Sequence, residues 1–530
     1  MRRHRSLLVG AGLLALASLA APPASSDTDP VADEPAWVLR SRTERLDPKE
    51  YAALCAARPA GAPGTRTLDL FPDVSVTAVA DRVERDARGT VTWAGHVPGR
   101  PERTVLLTVT GACAPEARAA STAVDAVVTL GPYTYTLSAA PGRPGRVRIA
   151  EVDPGKRPQP VPDEVGAGGP APGASPSGPA TEPGGAAHPT PPPGPATEPA
   201  AAPATDPDPV VIDLLVGHTP KSAERIGGAA AMRARIALAD AALDSALADS
   251  GVRASVDVVA VYEAAYDGSE RAQEVYGRLA DPDDRELGAP AAELRERHGA
   301  DLAALLVTVP AGTSTGYGSL PQPPAATTDH QAYSVTDVDS VVDWFNFGHE
   351  VGHNLGLWHD RATLERQTGG LDYTRSLTTP YSTGWITADG RFHTLMAYGS
   401  SCPGECAPVN RYANTVRGWQ GEPLGDAHND NARVARWTAP IVAAYRTPAT
   451  PVARHALTLA AAPATAGTVA PATWGPYRPG TEVTVTATPK KGHVFAGWEL
   501  DGAALPHKGD TLALPMTKPH TLKARFSPAP

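Results

Sequence analysis

A chain of 530 residues with 56 prolines and 50 glycines is too long and too unevenly punctuated for one compact domain. A formal net charge of −10, concentrated in an acidic central region, argues against nucleic acid as substrate. No apolar stretch beyond the N-terminus is long enough to span a bilayer, which excludes a polytopic membrane protein.

The chain opens with Arg2, Arg3 and Arg5 ahead of an apolar run from Leu7 to about Ala21, followed by small residues. This predicts a secretory signal peptide over residues 1–24, cut between Ala20 and Ala24; the run is short for the alternative, an uncleaved anchor. The remainder is expected to be exported, without a transmembrane segment, and monomeric. Residues 27–153 hold several runs of alternating apolar and polar residues, among them Val74 to Ala80, Val91 to Val97 and Thr104 to Thr110, and predict an all-β domain. Cys55 and Cys113 fall within this part, and in an exported protein they are expected to form a disulfide. From 154 to 209 the chain is almost entirely Pro, Ala, Gly, Thr and acidic residues, with GPATEP at Gly178 and again at Gly194. Such a stretch cannot bury a core and predicts an extended, mobile linker.

Residues 210–447 read differently. VVIDLLV at Val210 is a buried strand, and Met232, Ile236, Leu243 and Leu247 recur at helical spacing up to Gly251. Strands at Ala254 to Tyr262 and Leu302 to Val309, with a helix near Ala291 to His298, complete an α/β half on a twisted sheet. TGYGSL, from Thr315, is placed as an edge strand that an extended peptide can extend. A helix is expected over Asp339 to Leu355, with Val342, Phe345 and Val351 facing the core and the string HEVGHNLGLWHD running through and past its end.

That string carries the chemistry. His349 and His353, four apart, project from one helix face and can share one metal ion. Glu350 lies beside them as a non-ligand base, and Gly356 can take a positive φ and turn the chain so that His359 arrives as third ligand. Three protein ligands leave a fourth position open, the pattern of a catalytic Zn2+ rather than a closed structural one. Histidines satisfied within a helix are the bland alternative, and they leave the third His and the glycine without a purpose. Structural Ca2+ is not readable from the sequence.

HEVGHNLGLWHD resembles the metzincin clan of zinc metalloendopeptidases, which implies a methionine turn beneath the metal; Met396, in HTLMAYGSSC, stands where that turn is expected. The resemblance implies a two-lobed catalytic domain with a twisted mixed sheet and an active-site helix. It also implies that Asp360 is a structural carboxylate. Tyr398 occupies the position at which astacin-like and serralysin-like members carry a tyrosine that reaches the metal or the transition state, a residue that reprolysins lack. DNARVARWTAPIVAAYR, from Asp430, and CPGEC bring the likeness closest to the reprolysin-like bacterial secreted enzymes, the group that includes peptidyl-Asp metalloendopeptidase. Cys402 and Cys406 are expected to pair, with metal binding by the CPGEC loop as the alternative. His393 is expected to be solvated. The specificity loop is expected over Gly399 to Gly418, where Arg411 and Arg417 are candidates to meet an acidic substrate side chain.

Residues 452–528, with TEVTVTATPKKGHVFAGWELDG, resemble an internalin-type B-repeat module, for which Phe495 and Trp498 are core packing or a face toward a cell surface or polymer. The string from Leu68 is similar to β-rich propeptides that precede some bacterial metzincins, a resemblance that implies a zymogen; an independent binding domain is the alternative. The function expected is therefore a secreted zinc metalloendopeptidase acting on proteins or peptides. A non-catalytic exported surface-binding protein and a cell-wall peptide amidase are the competing readings, and the intact Glu350 weighs against the first.

Overall fold

The computed structural model describes residues 34–86, 88–157, 161–162, 208–368, 379–448 and 451–530. The expected signal peptide and most of the linker lie outside the described residues.

The N-terminal part is a run of strands: β1 (Val38–Arg45), β2 (Thr65–Phe71), β3 (Val74–Arg85), β4 (Val91–Val97), β5 (Arg100–Thr110), β6 (Ala123–Leu130), β7 (Tyr133–Ala139) and β8 (Arg146–Val152). They pair in antiparallel fashion in the order β1-β8-β7-β6-β5-β4-β3, with β2 on β3. Period-two alternation puts Val105, Leu107, Val109, Val124, Ala126 and Val128 on one face, where they form the core of this part. Cys55 and Cys113 are disulfide-bonded, as expected.

The central part begins with β9 (Val210–His218), α1 (Pro220–Arg225), α2 (Ala229–Asp249), β10 (Ala254–Glu263), α3 (Ala272–Leu279), α4 (Gly288–His298), β11 (Leu302–Val307), β12 (Gly316–Gly318) and β13 (Tyr333–Asp337). The sheet runs β10-β9-β11-β13-β12, parallel except for β12, which pairs antiparallel with β13 at the edge. Strands β9, β11 and β13 are buried over most of their length because helices or loops cover both faces, and β9 and β11 are accordingly near-continuous apolar runs. TGYGSL thus forms the edge strand, as its sequence suggested. Helix α2 is alanine-rich and buried almost all round, so it reads as a core rod rather than a surface helix.

Helix α5 (Asn346–Asn354) carries the histidine motif, and α6 (Arg361–Gln367) follows it. The expected helix from Asp339 therefore starts later: Phe345 takes a positive φ of 55° and interrupts any continuation from the preceding turns. Short strands β14 (Phe392–His393), β15 (Ala407–Pro408), β16 (Asn414–Trp419) and β17 (Glu422–Leu424) precede α7 (Asn431–Val442), whose Asp430 caps it by accepting from the Arg433 N–H.

The C-terminal part comprises β18 (Leu457–Ala462), β19 (Gly467–Pro471), β20 (Glu482–Pro489), β21 (His493–Leu500), β22 (Ala503–Ala504), β23 (Thr511–Pro515) and β24 (His520–Pro528). Trp498 is buried in its core with Phe495 packed against it, so both serve packing. β20 also pairs with β3, joining the first and last parts in one 11-stranded sheet. Among the described residues, no helix is long and apolar enough to cross a membrane.

Candidate active site

Helix α5 is buried on all its residues, which fixes the direction of its two histidines. His349 donates through Nδ1 to the Leu395 carbonyl at 2.6 Å and His353 through Nδ1 to the Leu357 carbonyl at 2.8 Å, so each turns Nε2 away from the backbone. Leu355 ends the helix and Gly356, at φ 83°, reverses the chain. His359 then lies with its Nε2 3.0 Å from that of His353, and its Nδ1 stands 3.2 Å from Gln367 Oε1. Ligand atoms of the three histidines all fall within 4.8 Å of one another. Nitrogens bound to one ion at about 2.0–2.1 Å must sit a little over 3 Å apart, so the triad fits a single metal ion.

Glu350 is fully buried beside the triad. The edge strand passes so close that a Cβ on Gly316 would sit 2.1 Å from Glu350 Oε1, which explains the glycine there. Met396 is fully buried beneath the helix, its sulfur 2.7 Å from where a Cβ of Gly352 would stand. Tyr398 follows, with its hydroxyl 3.5 Å from His349 Nε2 and its ring 5.0 Å from that of His359. Asp360 caps α6 by accepting from the Thr363 N–H at 2.9 Å, and its other oxygen accepts from the Tyr398 backbone N–H at 3.1 Å. The structure thus brings together His349, Glu350, His353, His359, Gly356, Asp360, Met396 and Tyr398.

Three supporting residues escaped the sequence reading. Asn354, directly after the second histidine, donates to the carbonyls of Ser319 and Tyr333 and so clamps α5 to the edge of the sheet. Tyr412 is fully buried and donates to the Gly348 carbonyl at 2.7 Å, and burial pushes its phenol far above the usual range. Gln367 reaches His359 from α6. Only Asn354 has a local signal, as a polar residue on a helix face that is otherwise committed to the core.

Four expectations need correction. Arg411 is buried, stacks on Trp419 at 4.9 Å, donates to the Gly418 carbonyl and pairs with Asp249, leaving it no reach toward a substrate. Arg417 is drawn to the same carboxylate, at the end of α2. His393 is buried in β14 rather than solvated, with Nδ1 on the Thr394 carbonyl, and burial lowers its pKa. The linker does not begin free at Pro154. Arg157 donates to Asp343 at 2.8 Å and lies over Trp344, and Val161 forms a parallel bridge with Ser314, two residues before β12. The CPGEC cysteines, Cys402 and Cys406, are bonded to each other, which leaves no thiolate there for a metal.

Residues 209–411 match the family model described as Metallo-peptidase family M12, and residues 457–530 match the one described as Divergent InlB B-repeat domain. Over 160 residues the chain is 31% identical to a Peptidyl-Asp metalloendopeptidase of Stenotrophomonas maltophilia, covering 29% of this chain and 33% of that protein. Over 136 residues it is 32% identical to a Peptidyl-Asp metalloendopeptidase of Xanthomonas campestris pathovar campestris, covering 26% of this chain and 28% of that protein. The chain therefore spans about a third of the length of the relatives it matches. The crystal structure of metalloproteinase-II from Bacteroides fragilis aligns with a TM-score of 0.34 and 11% identity, over 57% of this chain and 82% of that one. The histidine triad and the buried glutamate lie within residues 209–411, the stretch that is similar to metallopeptidase family M12, and the stretch after it is similar to a divergent B-repeat domain.

Proposed function

We propose that this chain is an exported zinc-dependent metalloendopeptidase, with a two-lobed metzincin arrangement of its catalytic domain. The observation that carries this reading is the convergence of His349, His353 and His359 beside the buried Glu350. The donor set suits zinc: three imidazoles, two of them oriented by backbone carbonyls. A zinc ion held there supplies Lewis acidity, polarising a peptide carbonyl and lowering the pKa of a water.

The protein's own groups do the rest. Glu350 accepts the proton of the attacking water and later delivers it to the departing amine nitrogen. Tyr398, its hydroxyl facing His349 Nε2, donates to the carbonyl oxygen as negative charge develops there. The outer edge of β12 takes an extended peptide as an added strand, holding the scissile bond against Glu350. Val161 bridges Ser314 next to that same edge, and this supports a latent state of the uncut chain in which the connector competes with substrate. Cleavage beside aspartate is the preference suggested by the relatives' name, and Arg411, buried and paired with Asp249, is not the residue that would read it.

The test is hydrolysis of casein and of a mixed peptide library by the purified protein, with and without a chelator, beside Glu350→Ala. Chelator-sensitive cleavage absent from Glu350→Ala is the expected result. A folded, zinc-loaded protein that cleaves no peptide would overturn the reading in favour of a binding protein, and cleavage confined to cell-wall peptides would favour the amidase.

A further inference from the structure

The N-terminal β-domain has the sequence character of a leader that is removed, yet its contacts are those of a permanent subunit. Its Ala94, Leu106, Ala123 and Val127 are buried in the same core as Met232, Ile236 and Leu243 of the catalytic domain. Thr108 donates to the Ala234 carbonyl at 2.7 Å and Thr110 to the Ala230 carbonyl at 3.0 Å, so β5 is stitched along α2. Asp125 pairs with Arg235, both buried, and Arg235 also donates to the Val338 carbonyl at 2.8 Å. Arg82 pairs with Asp244, whose other oxygen accepts from the Val256 N–H at 2.7 Å.

The C-terminal module closes the ring from the other side. β20 pairs with β3 at Val83 and Arg82, and Thr484 donates to the Ala80 carbonyl at 2.6 Å. Gly61 and Ala513 exchange two backbone hydrogen bonds of 3.0 and 2.8 Å. Arg478 meets Asp257 of the catalytic domain and Glu84 of the N-terminal domain, while Arg454 meets Asp213 and Asp257.

We propose that the N-terminal domain stays bound after the connector is cut, held non-covalently by the catalytic domain and the C-terminal module, which remain one chain. Its removal would take from Arg235 and Asp244 their buried counter-charges, strip the apolar cover from α2 and leave part of the β20 edge open. Cutting the connector and releasing the domain are then separate events, and a nicked protein retains all three parts. Both disulfides lie within single parts, Cys55 with Cys113 and Cys402 with Cys406, so no covalent bond holds the pieces once the chain is cut.

The experiment inserts a site-specific protease sequence into the 163–207 stretch of the full chain, cuts it, and passes the product over a sizing column at micromolar concentration. It is run at 0.15 M and at 1 M salt, since salt strips exposed ion pairs and spares buried ones. The two fragments are expected to co-elute in both buffers and to separate in urea, with the backbone amides of α2 as protected from hydrogen exchange as in the uncut chain. Asp125→Ala combined with Arg82→Ala is expected to weaken reassociation by about 100-fold or more. Separation of the cut wild type in either buffer, or exposure of the α2 amides on cutting, would overturn the proposal. Neither readout depends on peptidase activity, so its failure is distinct from failure of the catalytic reading.

Discussion

Asp360 accepts a hydrogen bond from the backbone N–H of Tyr398 at 3.1 Å, so the residue after the third histidine holds the turn after Met396 in place. The same carboxylate caps α6 through Thr363. One buried side chain therefore sets the spacing between the triad and its tyrosine. Asp360→Ala is expected to lose about 1–3 kcal/mol of stability, the range for a lost cap that also leaves a buried N–H unpaired. Its zinc affinity should fall as well. Thermal melting with and without zinc checks both, and a variant that melts like the wild type and binds zinc as tightly would refute the bracing role.

Tyr398→Phe keeps the ring packed on His349 and His359 and removes only the hydroxyl. If that hydroxyl stabilises the developing oxyanion, kcat should fall by about 10²-fold with KM little changed. Zinc content is expected to stay at one ion per chain. Steady-state kinetics with metal analysis decides it; a rise in KM alone would assign the tyrosine to substrate binding.

Arg411 serves packing, not substrate choice. Arg411→Ala removes a cation from the Trp419 face and the bond to Gly418, and should lower stability by about 1–3 kcal/mol. Its cleavage-site profile on a peptide library should match that of the wild type. A changed profile in a normally stable variant would return Arg411 to the specificity pocket.

The connector contact predicts a gain of activity. Arg157→Ala frees the segment from Asp343 and Trp344 and weakens the hold of Val161 on the edge beside β12. The uncut variant should then show kcat/KM raised by roughly threefold or more, because a tethered competitor acts at high effective concentration. Equal rates for uncut wild type and variant would remove the connector from regulation.

Asp337 is expected to make the central sheet sensitive to pH. Burial pushes its carboxyl up to about 6 from 3.8, with Asp339 adding to the rise and the Val309 N–H opposing it. A folded pKa above the unfolded one means a stabilising contribution that is present at acid pH and lost as pH rises through about 6. For this group the loss is at most roughly 3 kcal/mol. Asp337→Asn removes the titration, so its melting temperature relative to the wild type should climb between about pH 4 and 6.5 and level off above that. Parallel melting curves across that window would show that Asp337 titrates normally.

The amino-acid sequence by itself determined what depends on neighbours along the chain. Histidines four apart on a helix, a glycine that ends it, alternation in the N-terminal strands and apolar runs in β9 and β11 are all short-range patterns, and each reappears in the structure. Only the tertiary structure decided what Asp360 holds, that Arg411 turns inward to Asp249, and that His393 is buried. It alone also decided that the N-terminal domain docks through Asp125 and Arg235, 110 residues apart. A charged residue carries no mark in its sequence of whether it will face water or a distant counter-charge, because that depends on which surfaces the chain brings together on folding.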